Sequence, residues 1–147
     1  MSIDTLNWQI LKCLQRNARM SNVEIGKVVG LSSPAVSERI KKMEDAEIIQ
    51  GYHAVVSPMK TGYQLKAIIT LRAFMGMLKP FLEKVKNYNE VINCYRITGN
   101  ENIVMEVVLK NQKHLEDFID QLIVYGETKT QIVLSHVVNY NDITPLK

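Results

Sequence analysis

Apolar residues recur at helical spacing in the first part of this chain and at alternating spacing in much of the rest, with the change near residue 62. Residues 4–15, DTLNWQILKCLQ, place Leu6, Ile10, Cys13 and Leu14 on one stripe and predict a first helix capped by Asp4 or Thr5. Trp8 falls off that stripe, on a flank suited to a neighbour. Ser21 and Glu24 have capping-box spacing, in which the hydroxyl accepts from a free amide and the Glu reaches back to another. Ile25, Val28 and Val29 give the helix that starts there its apolar stripe, and Gly30 ends it. A further helix restarts at Ser32 or Ser33, with Pro34 in its first turn, where a missing N–H is harmless. Val36, Ile40 and Met43 recur at i, i+4 and i+7 and face inward. Two short helices joined by a tight turn form a helix-turn-helix. Ile48, Ile49, Tyr52, Ala54 and Val56, interleaved with Gln50, Gly51, His53 and Val55, predict a β wing after it.

Ser57-Pro58 and Thr61-Gly62 are turn chemistry, so the boundary is expected near Gly62, giving domains 1–62 and 63–147. Ala67, Ile69, Leu71 and Ala73 alternate as a strand, and Leu78, Phe81, Leu82 and Val85 are spaced as a helix. Val91 to Thr98 and Ile103 to Lys110 read as strands joined by the turn Gly99-Asn100-Glu101-Asn102. Leu115, Phe118, Ile119 and Leu122 make another helix, from near Asn111 to Gly126, and Gln131 to Tyr140 reads as the last strand. The order is βαββαβ. The expected fold class is α+β, an N-terminal winged helix-turn-helix followed by a C-terminal ferredoxin-like sheet with both helices on one face. The other face should then be polar in a monomer. Alternation instead puts Ile69, Leu71, Met105, Val107 and Val133 on one face and Ile68, Val104, Val108, Ile132 and Leu134 on the other. That pattern predicts burial of the second face against another copy through an isologous interface.

Charge sharpens the reading of the first domain. The 147-residue chain carries a net charge of +3, with 46% hydrophobic and 22% charged residues, ordinary globular values. The excess is local: from Lys12 to Lys42 there are seven Lys or Arg against Glu24 and Glu38. On the outer surface of the second motif helix lie Ser33, Ala35, Ser37, Glu38, Arg39, Lys41 and Lys42, small and polar first, basic further along. Such a surface suits a recognition helix in a major groove of double-stranded DNA, with Ser33, Ser37 and Glu38 at base edges and Arg39, Lys41 and Lys42 at phosphates.

Other chemistry is sparse. Cys13 and Cys94 lie far apart on apolar positions, as buried thiols of a reducing compartment do. His53, His114 and His136 are too scattered for local metal-ligand spacing, and the seven methionines suit core and interface filling. No hydrolase or metalloprotease signature is present. The expectation is a non-enzymatic protein without metal or cofactor, not membrane-bound, cytoplasmic and associated with the nucleoid.

The chain as a whole resembles the Lrp/AsnC family, the feast/famine transcription regulators. The resemblance rests on Asp4 to Leu11, on L-S-x-x-x-V-x-x-R-I from Leu31 to Ile40, and on Glu44 to Ile49 leading into Gly51-Tyr52. Thr98 to Asn102 and T-K-T at Thr128 to Thr130 complete it. It implies a sequence-specific, DNA-binding transcriptional regulator, with a hinge strand and a C-terminal domain that pairs through its sheet into dimers and then octamers or other higher oligomers. It also implies an amino-acid effector held between C-terminal domains, at positions that correspond here to Gly99, Asn100, Asn102, Thr128 and Thr130. Three positions depart from the family pattern: Asn100 and Asn102 replace frequent acids, Glu47 stands where Gly is usual, and Asn7 replaces a common Asp. A neutral amide binds an ammonium group less strongly than a carboxylate does, which leaves Glu101 as the substitute. The alternatives are an architectural protein that wraps DNA, or a small-molecule sensor that binds none.

Overall fold

The computed structural model describes residues 3–146 and divides into two compact units. One holds residues 3–55 together with 138–146, the other residues 56–137. Gly62, where the turn chemistry set the boundary, lies within the second of these units, and residues 138–146 group with the first.

The first unit is built on α1 (Thr5–Arg16), α2 (Asn22–Val29) and α3 (Ser33–Asp45). Each start is capped as its sequence dictates. Asp4 Oδ1 accepts from the Asn7 amide at 2.7 Å. The capping box is closed in both directions, Glu24 N–H donating to Ser21 Oγ at 3.2 Å and Ser21 N–H to Glu24 Oε2 at 2.8 Å. Ser32, the first of the two candidate serines, caps α3. Between α2 and α3 the chain reverses at Gly30, φ +72°, and Leu31 N–H donates to the Gly26 carbonyl at 3.0 Å. The turn closes so tightly that a Cβ on Gly26 would run into the Leu31 carbonyl oxygen. Ile10, Leu11, Ile25, Val29, Val36 and Met43 form the core, with Trp8 packed against its edge.

The end of α3 repeats this geometry without a glycine. Ile48 N–H donates to the Met43 carbonyl and Glu47 N–H to the Glu44 carbonyl, both at 2.9 Å, a Schellman closure with Glu47 at φ +55°. Residues 50–57 carry no strand ladder, which corrects the predicted wing. A strand is defined by its partner, and in the single chain nothing pairs with this alternating segment. The Tyr52 side chain is tied back to α3, its hydroxyl donating to Glu44 Oε1 at 2.8 Å. Burial, with this carboxylate, pushes the phenol up to about 12.

The second unit has β1 (Leu65–Ala73), α4 (Leu78–Lys84), β2 (Val91–Arg96), β3 (Ile103–Leu109), α5 (Gln112–Leu122) and β4 (Gly126–Ile132). Its strands form one antiparallel sheet in the order β2-β3-β1-β4. Ala67, Ile69, Leu71, Ile103, Met105, Val107 and Leu109 meet Phe81, Val85, Phe118 and Leu122 in the core. Asn111 caps α5 as expected, its side chain accepting from the His114 amide. That helix ends at Leu122 rather than at Gly126, because Gly126 already opens β4 opposite Ala73.

The last strand is displaced and its faces are exchanged relative to expectation. It runs over 126–132, not 131–140, because β1 begins at Leu65 and offers no backbone beyond the Val133 N–H to Lys66 carbonyl bond. Ile132 pairs with Ala67 on the helix side, and the Val133 bond to Lys66 puts Val133 on the open side. The open face is also less apolar than alternation implied. Ile68, Val104 and Val108 share it with a Lys66–Glu106 ion pair, to which Asn93 adds a hydrogen bond at 2.8 Å. Burial raises the Glu106 carboxyl, but the bonds from Lys66 and Asn93 outweigh it and leave its pKa below the ordinary value.

Candidate recognition helix and effector turn

The capped start of α3 presents its first turns outward. Ser37, Glu38, Lys41 and Lys42 are exposed and Ser33 is half-buried. Lys42 Nζ lies 2.7 Å from Glu38 Oε1, an i,i+4 pair that holds the Glu38 carboxyl below its ordinary range. Lys41 has no ion-pair partner among the described residues.

Arg39, expected at a phosphate, points elsewhere. It stands three residues after Val36 and four before Met43, so it flanks the buried stripe. Its Nη1 donates to Asp4 Oδ2 at 2.8 Å and to Asn7 Oδ1 at 2.9 Å, tying α3 to the start of α1. Asn7 is only 2% exposed, so this guanidinium serves a buried amide. The Arg39 hydrogen bond, reinforced by the Asn7 amide, holds the Asp4 carboxyl below its ordinary value. The polar residues Asp4 and Asn7 at the start of α1 were the available signal for this tie.

In the second unit the turn from Gly99 to Asn102 adjoins the beginning of β4. Thr128 and Thr130 are paired with Leu71 and Ile69, which places both threonines on the helix side of the sheet. A cleft of about 310 Å³ is lined by Arg72, Asn100, Glu101, Glu127, Thr128 and Lys129. Of the five residues expected at an effector site, it gathers Asn100 and Thr128 and leaves Gly99, Asn102 and Thr130 outside its lining. Asn102 is occupied by the sheet: its Oδ1 accepts from the Ala73 amide at 2.8 Å, and its own amide donates to the Leu71 carbonyl at 2.9 Å.

The cleft carries balanced charge. Lys129 Nζ lies 2.7 Å from Glu101 Oε1, and Arg72 pairs with Glu127 directly across the β1–β4 ladder. The Lys129 bond is the main reason that the Glu101 carboxyl sits below its ordinary value. Arg72, Glu127 and Lys129 escaped the sequence reading because only the β1–β4 register brings them to the turn. Glu101 was legible as the one acid there. Among the described residues no group of three or more His, Cys, Asp or Glu side chains could hold a metal ion. His114 is instead paired with Glu90 at 3.0 Å. None of the helices described is long and apolar enough to cross a membrane.

A helix-turn-helix with an outward polar helix, joined to a ferredoxin-like domain with a charged cleft, defines a DNA-binding regulator with a ligand-binding module. The chain belongs to the Lrp/AsnC family of transcriptional regulators: the AsnC-type helix-turn-helix domain matches residues 3–44 and the Lrp/AsnC ligand binding domain residues 66–143. It is 38% identical over 133 residues to the uncharacterized HTH-type transcriptional regulator YezC of Bacillus subtilis (strain 168), covering 90% of this chain and 94% of that protein. The solved structure of E. coli AsnC is similar with a TM-score of 0.87 at 29% identity, covering 99% of this chain and 100% of that one. The same fold recurs, at 24% identity and a TM-score of 0.90, in the complex of the Neisseria meningitidis regulator NMB0573 with L-Met, covering 97% of this chain and 96% of that one.

Proposed function

We propose that this chain regulates transcription as a homo-oligomer, a dimer assembling further to an octamer, that reads specific double-stranded DNA sites with α3 and responds to an amino-acid effector. The observation that carries the DNA reading is the capped, outward start of α3 behind the tight Gly30 turn. Ser33, Ser37 and Glu38 are assigned to base edges, and Lys41 and Lys42 to phosphates. Arg39 is assigned to holding α3 in place. Each phosphate-holding lysine contributes about 0.9 to the slope of log affinity against log salt. The Val104–Val108 side of the sheet is the surface assigned to pairing between copies. The protein is taken to act in the cytoplasm on the nucleoid, without catalysis.

For the effector, the supporting feature is the charge-balanced cleft beside the turn. The ammonium of an α-amino acid is assigned to Glu101 and its carboxylate to Arg72 or Lys129, with Asn100 and Thr128 as neutral partners. Because both acids are already ion-paired, the ligand exchanges partners rather than filling an uncompensated site. The decisive experiment is a gel-shift titration of the full chain on its own upstream DNA at two salt concentrations with heparin competitor. Salt-sensitive, competitor-resistant complexes support the reading, and absence of retention at both salts refutes it. Repeating the titration with L-methionine and a panel of amino acids, for the wild type and Glu101→Gln, tests the effector assignment.

A further inference from the structure

Residues 138–146 are fastened to α1 at two neighbouring positions. The Ile143 amide donates to Gln15 Oε1 at 2.7 Å, and Gln15 Nε2 donates back to the Ile143 carbonyl at 3.1 Å. One residue along on each segment, Arg16 Nε donates to Asp142 Oδ2 at 3.2 Å, with the Asp142 side chain only 25% exposed. The two-way amide exchange has the logic of a hydrogen-bonded β pair, so it fixes direction as well as position. Ile143 stands at the rim of an apolar cleft of about 360 Å³ lined by Trp8, Leu14, Ile49 and Tyr52, and is itself largely exposed, so the fastening rests on these hydrogen bonds and the ion pair.

The topology makes this clamp consequential. The backbone passes from the first unit to the second at residues 55–56 and comes back at 137–138, so two covalent crossings join them. The first crossing, residues 50–57, has no strand ladder of its own. Within a single chain, an unladdered connection leaves the DNA-reading unit many orientations. Fastening the second crossing to α1 adds a second constraint, because any reorientation has to satisfy both connections.

We propose that Gln15 and Asp142 are positioning residues: by strapping 138–146 onto α1 they set how strictly the oligomer demands correct spacing between paired DNA half-sites. The inference rests on the DNA-binding reading above and adds a determinant of site choice that lies outside α3. Restricting orientation raises the effective concentration of the second recognition helix only where the geometry fits, and lowers it where the geometry does not.

The test uses the full chain and duplexes bearing one or two half-sites selected by the wild-type protein from a random pool. Inserting about 5 bp between half-sites rotates one by half a helical turn. The wild type is expected to lose about tenfold or more in affinity on that insertion, and Gln15→Ala/Asp142→Ala about threefold or less. Single half-site affinity should be the same for both. Asp142→Asn, which keeps shape and removes only the charge, is expected to lie between them. Equal insertion penalties in wild type and variants overturn the inference while leaving the DNA-binding reading intact. Loss of single half-site affinity in Asp142→Asn also overturns it, since the strap would then serve the reader itself. Failure of the wild type to select any duplex overturns the DNA-binding reading instead.

Discussion

Replacing Arg39 by alanine separates two roles that the sequence alone left merged. In the structure its guanidinium supplies a donor, 2.9 Å away, to the Oδ1 of an Asn7 that is 2% exposed. Removing that donor leaves a buried amide oxygen unpaired, which costs about 1–3 kcal/mol. In a unit of this size each kcal/mol moves the melting temperature by about 4–8 °C, so a loss of about 2 kcal/mol lowers it by about 8–16 °C. Thermal unfolding by circular dichroism measures this directly. The companion assay is the salt dependence of DNA binding well below the transition. If Arg39 ties α1 to α3, the slope is unchanged, whereas Lys41→Ala leaves the melting temperature alone and flattens the slope by about 0.9. Adding Asn7→Leu to Arg39→Ala should recover part of the lost stability, because no buried polar group is then stranded. An unaltered melting temperature together with a flattened slope in Arg39→Ala would refute the reasoning and return the residue to the phosphates.

Glu47→Gly should stabilise the first unit by about 1 kcal/mol in a denaturant titration, since a non-glycine residue at φ +55° costs about 1–2 kcal/mol and glycine's unfolded-state entropy returns only part. An unchanged midpoint would contradict it. Gly26→Ala should do the opposite, destabilising by about 1–3 kcal/mol and weakening DNA retention, because its methyl has to displace the Leu31 carbonyl that closes the turn. Normal stability and retention would show that the turn yields easily. For Glu106, whose folded pKa lies below its unfolded value, the stabilisation is complete above the ordinary glutamate range and is lost as pH falls through the folded value. Glu106→Gln should therefore flatten the acid limb of the second unit's stability curve while leaving its shape near neutrality, and an unchanged limb would count against the assignment.

Local chemistry was legible and long-range register was not. The Ser21–Glu24 box, the Ser32 cap and the Gly30 reversal each depend on residues within one turn, and all three appear where the spacing put them. The strand and helix order of the second unit was equally readable, because alternation and helical spacing are local patterns. What failed depends on partners distant along the chain. The parity of β4 is fixed by its pairing with β1, which placed Ile132 and Val133 on the opposite faces from those expected. Residues 50–57 alternate as a strand does, yet only a second backbone could make them one. The cleft beside the turn was half-read for the same reason: Asn100 and Thr128 came with the resemblance, while Arg72, Glu127 and Lys129 required the register.

Asn102 has a consequence for how such a cleft changes over evolutionary time. Its side chain and main chain both close the end of β1, so the turn is riveted to the sheet at its last residue. Exchanging Asn102 for another residue leaves the Ala73 amide without its acceptor and perturbs the sheet before it perturbs any ligand. Asn100 has no such bond to the sheet, and Glu101 is held to it only through the Lys129 side chain, a bond that a ligand can exchange. Substitutions at those two adjacent positions would therefore alter the lining of the cleft while the far end of the turn stays fixed to the sheet.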